Sequence, residues 1–177
     1  MRILIENYDS IWPELFQVEA DRIRTALAAR VLAVEHVGST SVPGLAAKPV
    51  IDVLLVVADS SDELSYAPAL EAAGYTLKFR EPDWFEHRLF KSRDPEVNLH
   101  VLSQECPEIE RMLLFRDWLR SNPEDRNRYA AAKLALAERE WRTVDEYAQA
   151  KTRMVQEILA RAQETRGISS GARHSDS

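Results

Sequence analysis

Residues 50–57 read VIDVLLVV, a run of β-branched and aliphatic residues broken by a single acid. A strand with one wet face alternates apolar and polar side chains, whereas a continuous apolar run belongs to a strand covered on both faces. A chain carrying such a run must supply a layer of structure to each side of a sheet, and Pro49 suits the first residue of the strand. Asp52 lies inside the run. An unpartnered carboxylate there would be costly, since burying even a merely polar group without a partner costs roughly 2–7 kcal/mol. The run therefore predicts a central strand and requires a purpose for its acid.

The neighbouring segments supply the layers. From Ile11 to Arg30, Trp12, Leu15, Phe16, Ile23 and Leu27 recur at helical spacing, with Pro13 tolerated in the first turn. VLAVEHV (31–37) reads as a strand that Gly38 ends. DELSYAPALEAAG (62–74) reads as a helix that Pro68 kinks or divides and Gly74 closes. YTLKF (75–79), HRLFKS (87–92) and VNLHVL (97–102) predict an antiparallel meander, with a turn around Asp94 and Pro95. Beyond Pro107 the pattern is helical: one helix to about Ser121, a second opened by Asn122-Pro123-Glu124, and a third after Arg142-Thr143. The expected architecture is α+β: an N-terminal helix, a mixed sheet of about five strands, and a C-terminal set of three helices on one face or end of it.

One compact domain over 1–166 is expected, because 177 residues can bury roughly 70% of the unfolded surface without staples. The small, polar segment 167–177 is expected to be a disordered tail. Twenty-nine acidic residues against 23 basic ones leave a net charge of −6, which argues against general nucleic-acid or anionic-membrane binding. Cys106 is the sole cysteine, so no intramolecular disulfide can form. Glu6 interrupts the start before an apolar segment of signal length accrues, and no stretch approaches the ~20 apolar residues of a membrane span. A soluble, cytoplasmic protein in a reducing compartment is expected.

Asp52 acquires a purpose when read with the preceding turn. In HVGSTSVPG a strand ends in Gly-Ser, with more hydroxyls and a second glycine following. Such a turn lets backbone N–H groups approach a phosphate, and Ser39, Thr40 and Ser41 add hydroxyl donors. A carboxylate on the next strand could hold a divalent cation bridging the same phosphates. Ordinary turn and capping chemistry, or backbone hydrogen bonds to Asp52, would also account for these residues singly.

The string EHVGSTSVPGLAAKPVIDVLLVV resembles the signature of the GrpB-like family. The resemblance continues through RLF (88–90), NLHV (98–101), FRDWLR (115–120), Tyr129 with Lys133, and Tyr147 with Lys151, and covers the chain from about Trp12 to Ala162. That family is similar to the nucleotidyltransferase superfamily, which implies a nucleotidyltransferase-like sheet, bound nucleoside triphosphate and two magnesium ions. By this resemblance Gly38 and Ser39 would contact phosphate and Asp52 would be the first metal ligand. The family is also similar to a domain fused to dephospho-coenzyme A kinase in some bacteria, which implies a setting in coenzyme A metabolism.

The sequence departs from the superfamily at the second carboxylate, whose position is Leu54. Two dications held together need more anionic ligands than one carboxylate. His100 and His36 are the replacement candidates, and Asp52 with one or two imidazoles would suit a single Mn, Zn or Fe. The cofactor expected is thus a divalent metal, Mg or Mn, with Zn as the alternative.

The helices carry a second constellation. Tyr129 and Lys133 are four apart in one helix, and Tyr147 and Lys151 four apart in the next, so each pair shares a face. In the last helix that face is the apolar stripe of Tyr147, Met154, Val155 and Ile158, which Lys151 interrupts. Arg116 likewise falls within the stripe of Ile109, Met112, Leu113 and Leu119. Buried cations need partners, either an anionic ligand or an internal acid such as Asp52 or Asp117, and solvated tips are the other possibility. Lys48 and Arg88 are further candidates to line an anion pocket. Trp84 and Phe85 are expected in core or partly covered surface, with base stacking as the alternative.

Two functions follow. The first is a metal-dependent transferase or hydrolase in which Gly38, Ser39 and Thr40 cradle phosphate, Asp52 and His100 hold the ion, and Lys48, Arg116 and Lys151 neutralise charge. The second is a module that recognises a nucleotide or phosphate metabolite without chemistry.

Overall fold

The computed structural model describes residues 3–172. Helix α1 (Ile11–Leu27) starts where the Asp9 carboxylate accepts the Ile11 N–H at 2.9 Å, and it buries Trp12, Ala20, Ile23 and Leu27. Strands β1 (Ala33–Val37) and β2 (Ile51–Val57) follow, separated by a 3₁₀ turn at Ser39–Ser41. Pro68 does divide its segment: a 3₁₀ turn at Glu63–Ser65 precedes the short helix α2 (Ala67–Ala72), whose first turn has no use for the missing N–H. Strands β3 (Thr76–Glu81), β4 (His87–Ser92) and β5 (Val97–Ser103) form the expected meander.

Helices α3 (Pro107–Ser121), α4 (Pro123–Glu138) and α5 (Val144–Ala172) complete the chain. Asn122 caps α4, its side chain accepting the Asp125 N–H at 2.9 Å. α5 continues through Ala172, so 167–172 are helical where the composition predicts a tail. Each added residue of a formed helix closes one further hydrogen bond, and no proline interrupts this segment. Residues 173–177 lie outside those described.

The sheet order is β1-β2-β5-β4-β3, with β2 parallel to β5 and all other pairs antiparallel. β2 is interior, as its apolar run requires, and Val53, Leu54 and Leu55 are fully buried. One face of the sheet (Ile51, Val53, Leu55, Val57, Phe90, Leu99 and Val101) packs on Trp12, Ile23 and Leu27 of α1 and Tyr66 and Leu70 around α2. The other face (Val37, Leu54, Val56 and Leu102) packs on Ile109, Met112 and Leu113 of α3. Each fully buried aliphatic side chain contributes about 1.5–3 kcal/mol relative to exposure, so β2 alone anchors both layers.

A third cluster binds the C-terminal helices to the β1–β2 connection: Val42 and Leu45 pack with Leu119, Tyr129 and Ile158. Asp125 ties the three helices to one another, accepting from Trp118 Nε1 at 2.7 Å and from Arg161 Nη2 at 2.8 Å. Trp84 and Phe85 are 39% and 43% exposed, stacked edge-on to each other rather than in the core. Among the described residues no helix is long and apolar enough to cross a membrane.

Candidate functional site

Gly38 ends β1 with φ +72°, and a Cβ built on it would meet Asp52 Oδ2 at 2.5 Å. The glycine is thus required twice over: by its left-handed backbone and by the carboxylate lying against its Cα. Glycine and acid, 14 residues apart in sequence, are one structural unit.

The hydroxyls of the following turn are used unequally. Thr40 Oγ1 donates to the Val50 carbonyl at 2.9 Å and accepts from His36 Nε2 at 3.0 Å. Ser41 Oγ donates to the Gly38 carbonyl at 2.5 Å, and Arg120 Nε holds the Ser41 carbonyl at 2.9 Å. These residues shape the turn and lock it to α3. Ser39 instead faces the Tyr129 phenol.

Parallel register pairs Asp52 with Asn98 and Leu54 with His100, so all four side chains point to the α3–α5 face. Asp52 Oδ1 accepts from His100 Nε2 at 3.2 Å, His100 Nδ1 lies 3.0 Å from His87 Nε2, and His87 Nδ1 lies 2.8 Å from Glu81 Oε1. With Nε2–H given to Asp52, His100 accepts from His87, whose Nδ1 then needs a second ring proton to reach Glu81. Burial, and next the adjacent His100, push His87 below the usual histidine value. Both His100 nitrogens are thus hydrogen-bonded within this chain, Nε2 to the Asp52 carboxylate and Nδ1 to His87.

Three expectations are corrected. His36 pairs with Val53 in the antiparallel β1–β2 register, which turns its ring to the α1 face, stacked on Phe16 at 4.8 Å. Burial, with Arg120 and Arg116 nearby, lowers it to about 4 in spite of Asp52, so it is a neutral packed ring and no ligand of an ion at Asp52. Arg88 shares the α1–α2 face with Val101 and pairs with Glu86 at 2.9 Å and Glu63 at 3.5 Å, across the sheet from Asp52. Arg116 is consumed by Glu35 at 2.8 Å, Asp117 at 2.9 Å and the His36 carbonyl at 3.1 Å.

The remaining candidates converge. Gly38, Ser39, Thr40, Lys48, Asp52, Tyr129, Lys133, Tyr147 and Lys151 line one cavity of about 450 Å³ between the end of the sheet and helices α4 and α5. Ile5, Val50, Phe115, Ala148 and Val155 supply its apolar wall. Asn98 lines it too, and the sequence reading had not marked it; its Oδ1 is buried without a hydrogen-bond partner. An asparagine in a strand, two residues before His100, was the available signal.

Lys133 is 1% exposed, its Nζ 4.8 Å from the centre of the Tyr129 ring. Among the described residues no carboxylate lies within ion-pair distance of Lys133 or Lys151. Burial, and then the charge of Lys151, lower Lys133 to about 7. Burial raises Tyr129 to about 12 and also raises Tyr147, so both phenols stay protonated near neutrality. Leu54, where a second carboxylate would stand, is wholly buried under α3. The residues present therefore do not fit a two-metal centre, and the described residues hold no cluster of three or more His, Cys, Asp or Glu able to bind an ion. The oxygen donors that register places side by side at this cavity are the Asp52 carboxylate and the unpartnered Asn98 amide oxygen.

The description "GrpB protein" matches residues 2–161. A UPF0157 protein of Halalkalibacterium halodurans is 60% identical over 163 residues, 92% of this chain and 84% of that one. A dephospho-CoA kinase of Mycolicibacterium paratuberculosis is 33% identical over 182 residues, covering 87% of this chain and 44% of that protein. Among solved structures, conserved protein GrpB from Enterococcus faecalis superposes with TM-score 0.81 at 31% identity, over 92% of this chain and 98% of that one. The Cid1 poly(U) polymerase superposes with TM-score 0.55 at 14% identity over 75% of this chain and 42% of its own, a likeness of fold alone. The nucleotidyltransferase-like α+β fold is that of these neighbours, and the chain belongs to the GrpB family.

Proposed function

We propose that the cavity binds a nucleotide, or another small phosphate-bearing metabolite, together with one divalent cation. The observation that carries this reading is that Lys48, Lys133 and Lys151 line one cavity whose single carboxylate, Asp52, lies within ion-pair distance of neither Lys133 nor Lys151, a surplus of amines that an anionic ligand would pair. Lys151 and Lys48 would hold phosphate oxygens, with the Gly38–Ser39 turn closing from the sheet side. The phenols of Tyr129 and Tyr147 remain hydrogen-bond donors. Asp52 and Asn98 would hold Mg or Mn, and a bound cation there would neutralise phosphate charge and fix its orientation. The net charge of −6 argues against general nucleic-acid binding and favours a small-molecule ligand. A cytoplasmic location, where such metabolites are abundant, accompanies this reading.

Binding is favoured over two-metal nucleotidyl transfer by the burial of Leu54 beneath α3. The relative named dephospho-CoA kinase makes dephospho-coenzyme A and coenzyme A the first metabolites to try. The test is thermal unfolding of the wild type and Asp52→Ala with nucleoside triphosphates, dephospho-coenzyme A and coenzyme A, each with Mg, Mn or Zn. A ligand at a hundred times its dissociation constant adds about 2.7 kcal/mol. A metal-dependent rise in midpoint that Asp52→Ala removes is the expected result; no rise with any combination overturns the reading.

A further inference from the structure

The chemistry of Lys133 goes beyond anion binding. Its side chain is buried, its amine reaches a cavity and lies 4.8 Å from the centre of the Tyr129 ring, and a second lysine, Lys151, lines the same cavity from α5. We propose that Lys133 is a nucleophilic amine and that the cavity takes phosphorylated aldehydes or ketones, which Lys133 captures as an imine.

The inference rests on the anion-site reading for the placement of the phosphate. Lys151 and Lys48 would hold that group, leaving Lys133 to meet the carbonyl. The Lys133 nitrogen lone pair adds to the carbonyl carbon, and the C=O π pair becomes an alkoxide. Both amine protons then leave with that oxygen as water, and the C=N bond forms. No oxidant, reductant or further co-reactant is needed. A desolvated lysine beside a second cation is the environment that makes an amine neutral and nucleophilic near neutral pH. Tyr129 on the same helix, Tyr147 and Lys151 on α5, Asp52 on β2 and Lys48 ahead of it are the titratable groups around this cavity. The two phenols do not titrate near neutrality, and the Lys133 amine does so at about 7.

The probe is pyridoxal 5′-phosphate, which offers both a phosphate and an aldehyde, followed by borohydride reduction and peptide mapping. At pH 7.5 an amine titrating near 7 is mostly neutral, whereas an ordinary lysine is neutral in about one part in a thousand. Labelling should therefore favour Lys133 over Lys78 and Lys91 by at least about tenfold. Pyrophosphate should suppress the label, Lys133→Arg should lose it, and Lys78→Arg should leave it intact. If pyrophosphate raises the unfolding midpoint while the label spreads evenly over the lysines, the nucleophile is overturned and the anion site stands. If neither compound shifts the midpoint and no lysine is favoured, both readings fall.

Discussion

Replacing Lys133 by methionine should make the protein more stable and less able to bind. Methionine keeps the length of the stem and removes the charge. The fall of the Lys133 value from 10.5 to about 7 corresponds, at 1.36 kcal/mol per pH unit, to about 5 kcal/mol of destabilisation when the folded protein must carry the proton. Because the folded value lies below the unfolded one, the unfolded chain holds the extra proton between these limits, and wild-type stability rises with pH across that window. The handicap is full below pH 7, about 3 kcal/mol at pH 8, and gone by pH 10.5. Loss of the contact with the Tyr129 ring offsets up to about 2 kcal/mol. The net gain near neutrality is then about 2–4 kcal/mol, or roughly 5–12 °C in midpoint for a domain of this size. Urea unfolding of both proteins between pH 6 and 10 measures it: the two curves should converge as pH rises. A variant less stable than wild type at every pH would refute the reasoning and show that the ammonium is compensated in the native state.

Other substitutions probe the frame of the site. Gly38→Ala forces a Cβ to within 2.5 Å of Asp52 Oδ2 at a positive φ, and should cost about 1–3 kcal/mol in chemical denaturation while weakening ligand binding. Leu54→Asp should cost more than about 3 kcal/mol without creating a second metal site, because the position is buried against Ile109, Met112 and Leu113; a gain in Mn affinity with stability retained would contradict this. Asp125 is buried, and the hydrogen bond from Arg161 holds its carboxyl below the usual range. Its contribution is therefore present at neutral pH and lost as pH falls through that depressed value. Asp125→Ala should remove about 2–3 kcal/mol and flatten the acid limb of the wild-type stability profile.

The fold was legible where one physical cause dominates. The unbroken β2 run requires cover on both faces, and prolines 107 and 123 mark the starts of α3 and α4. The pairs Tyr129–Lys133 and Tyr147–Lys151 were visible because spacing on a helix fixes a shared face. Side-chain direction across a sheet is different, since it depends on register. His36 and Arg88 turn away from Asp52 because they align with Val53 and Val101, and a shift of one residue would have reversed both. Arg116 is neutralised chiefly by Glu35, a partner 81 residues away that no local pattern reveals. Asn98 reaches the Asp52 end of the cavity because β5 aligns it with that residue, a pairing set by register.

The most direct test is calorimetric titration of pyrophosphate, with and without Mn²⁺, into wild type, Asp52→Asn and Lys151→Ala. A charge-assisted contact is worth about 1.5–3 kcal/mol, so Lys151→Ala should weaken binding by about 10–100-fold under both conditions. Asp52→Asn should abolish the enhancement by Mn²⁺ and leave metal-free binding in place. Equal affinities for all three proteins in both conditions would contradict a joint anion and metal site at this cavity.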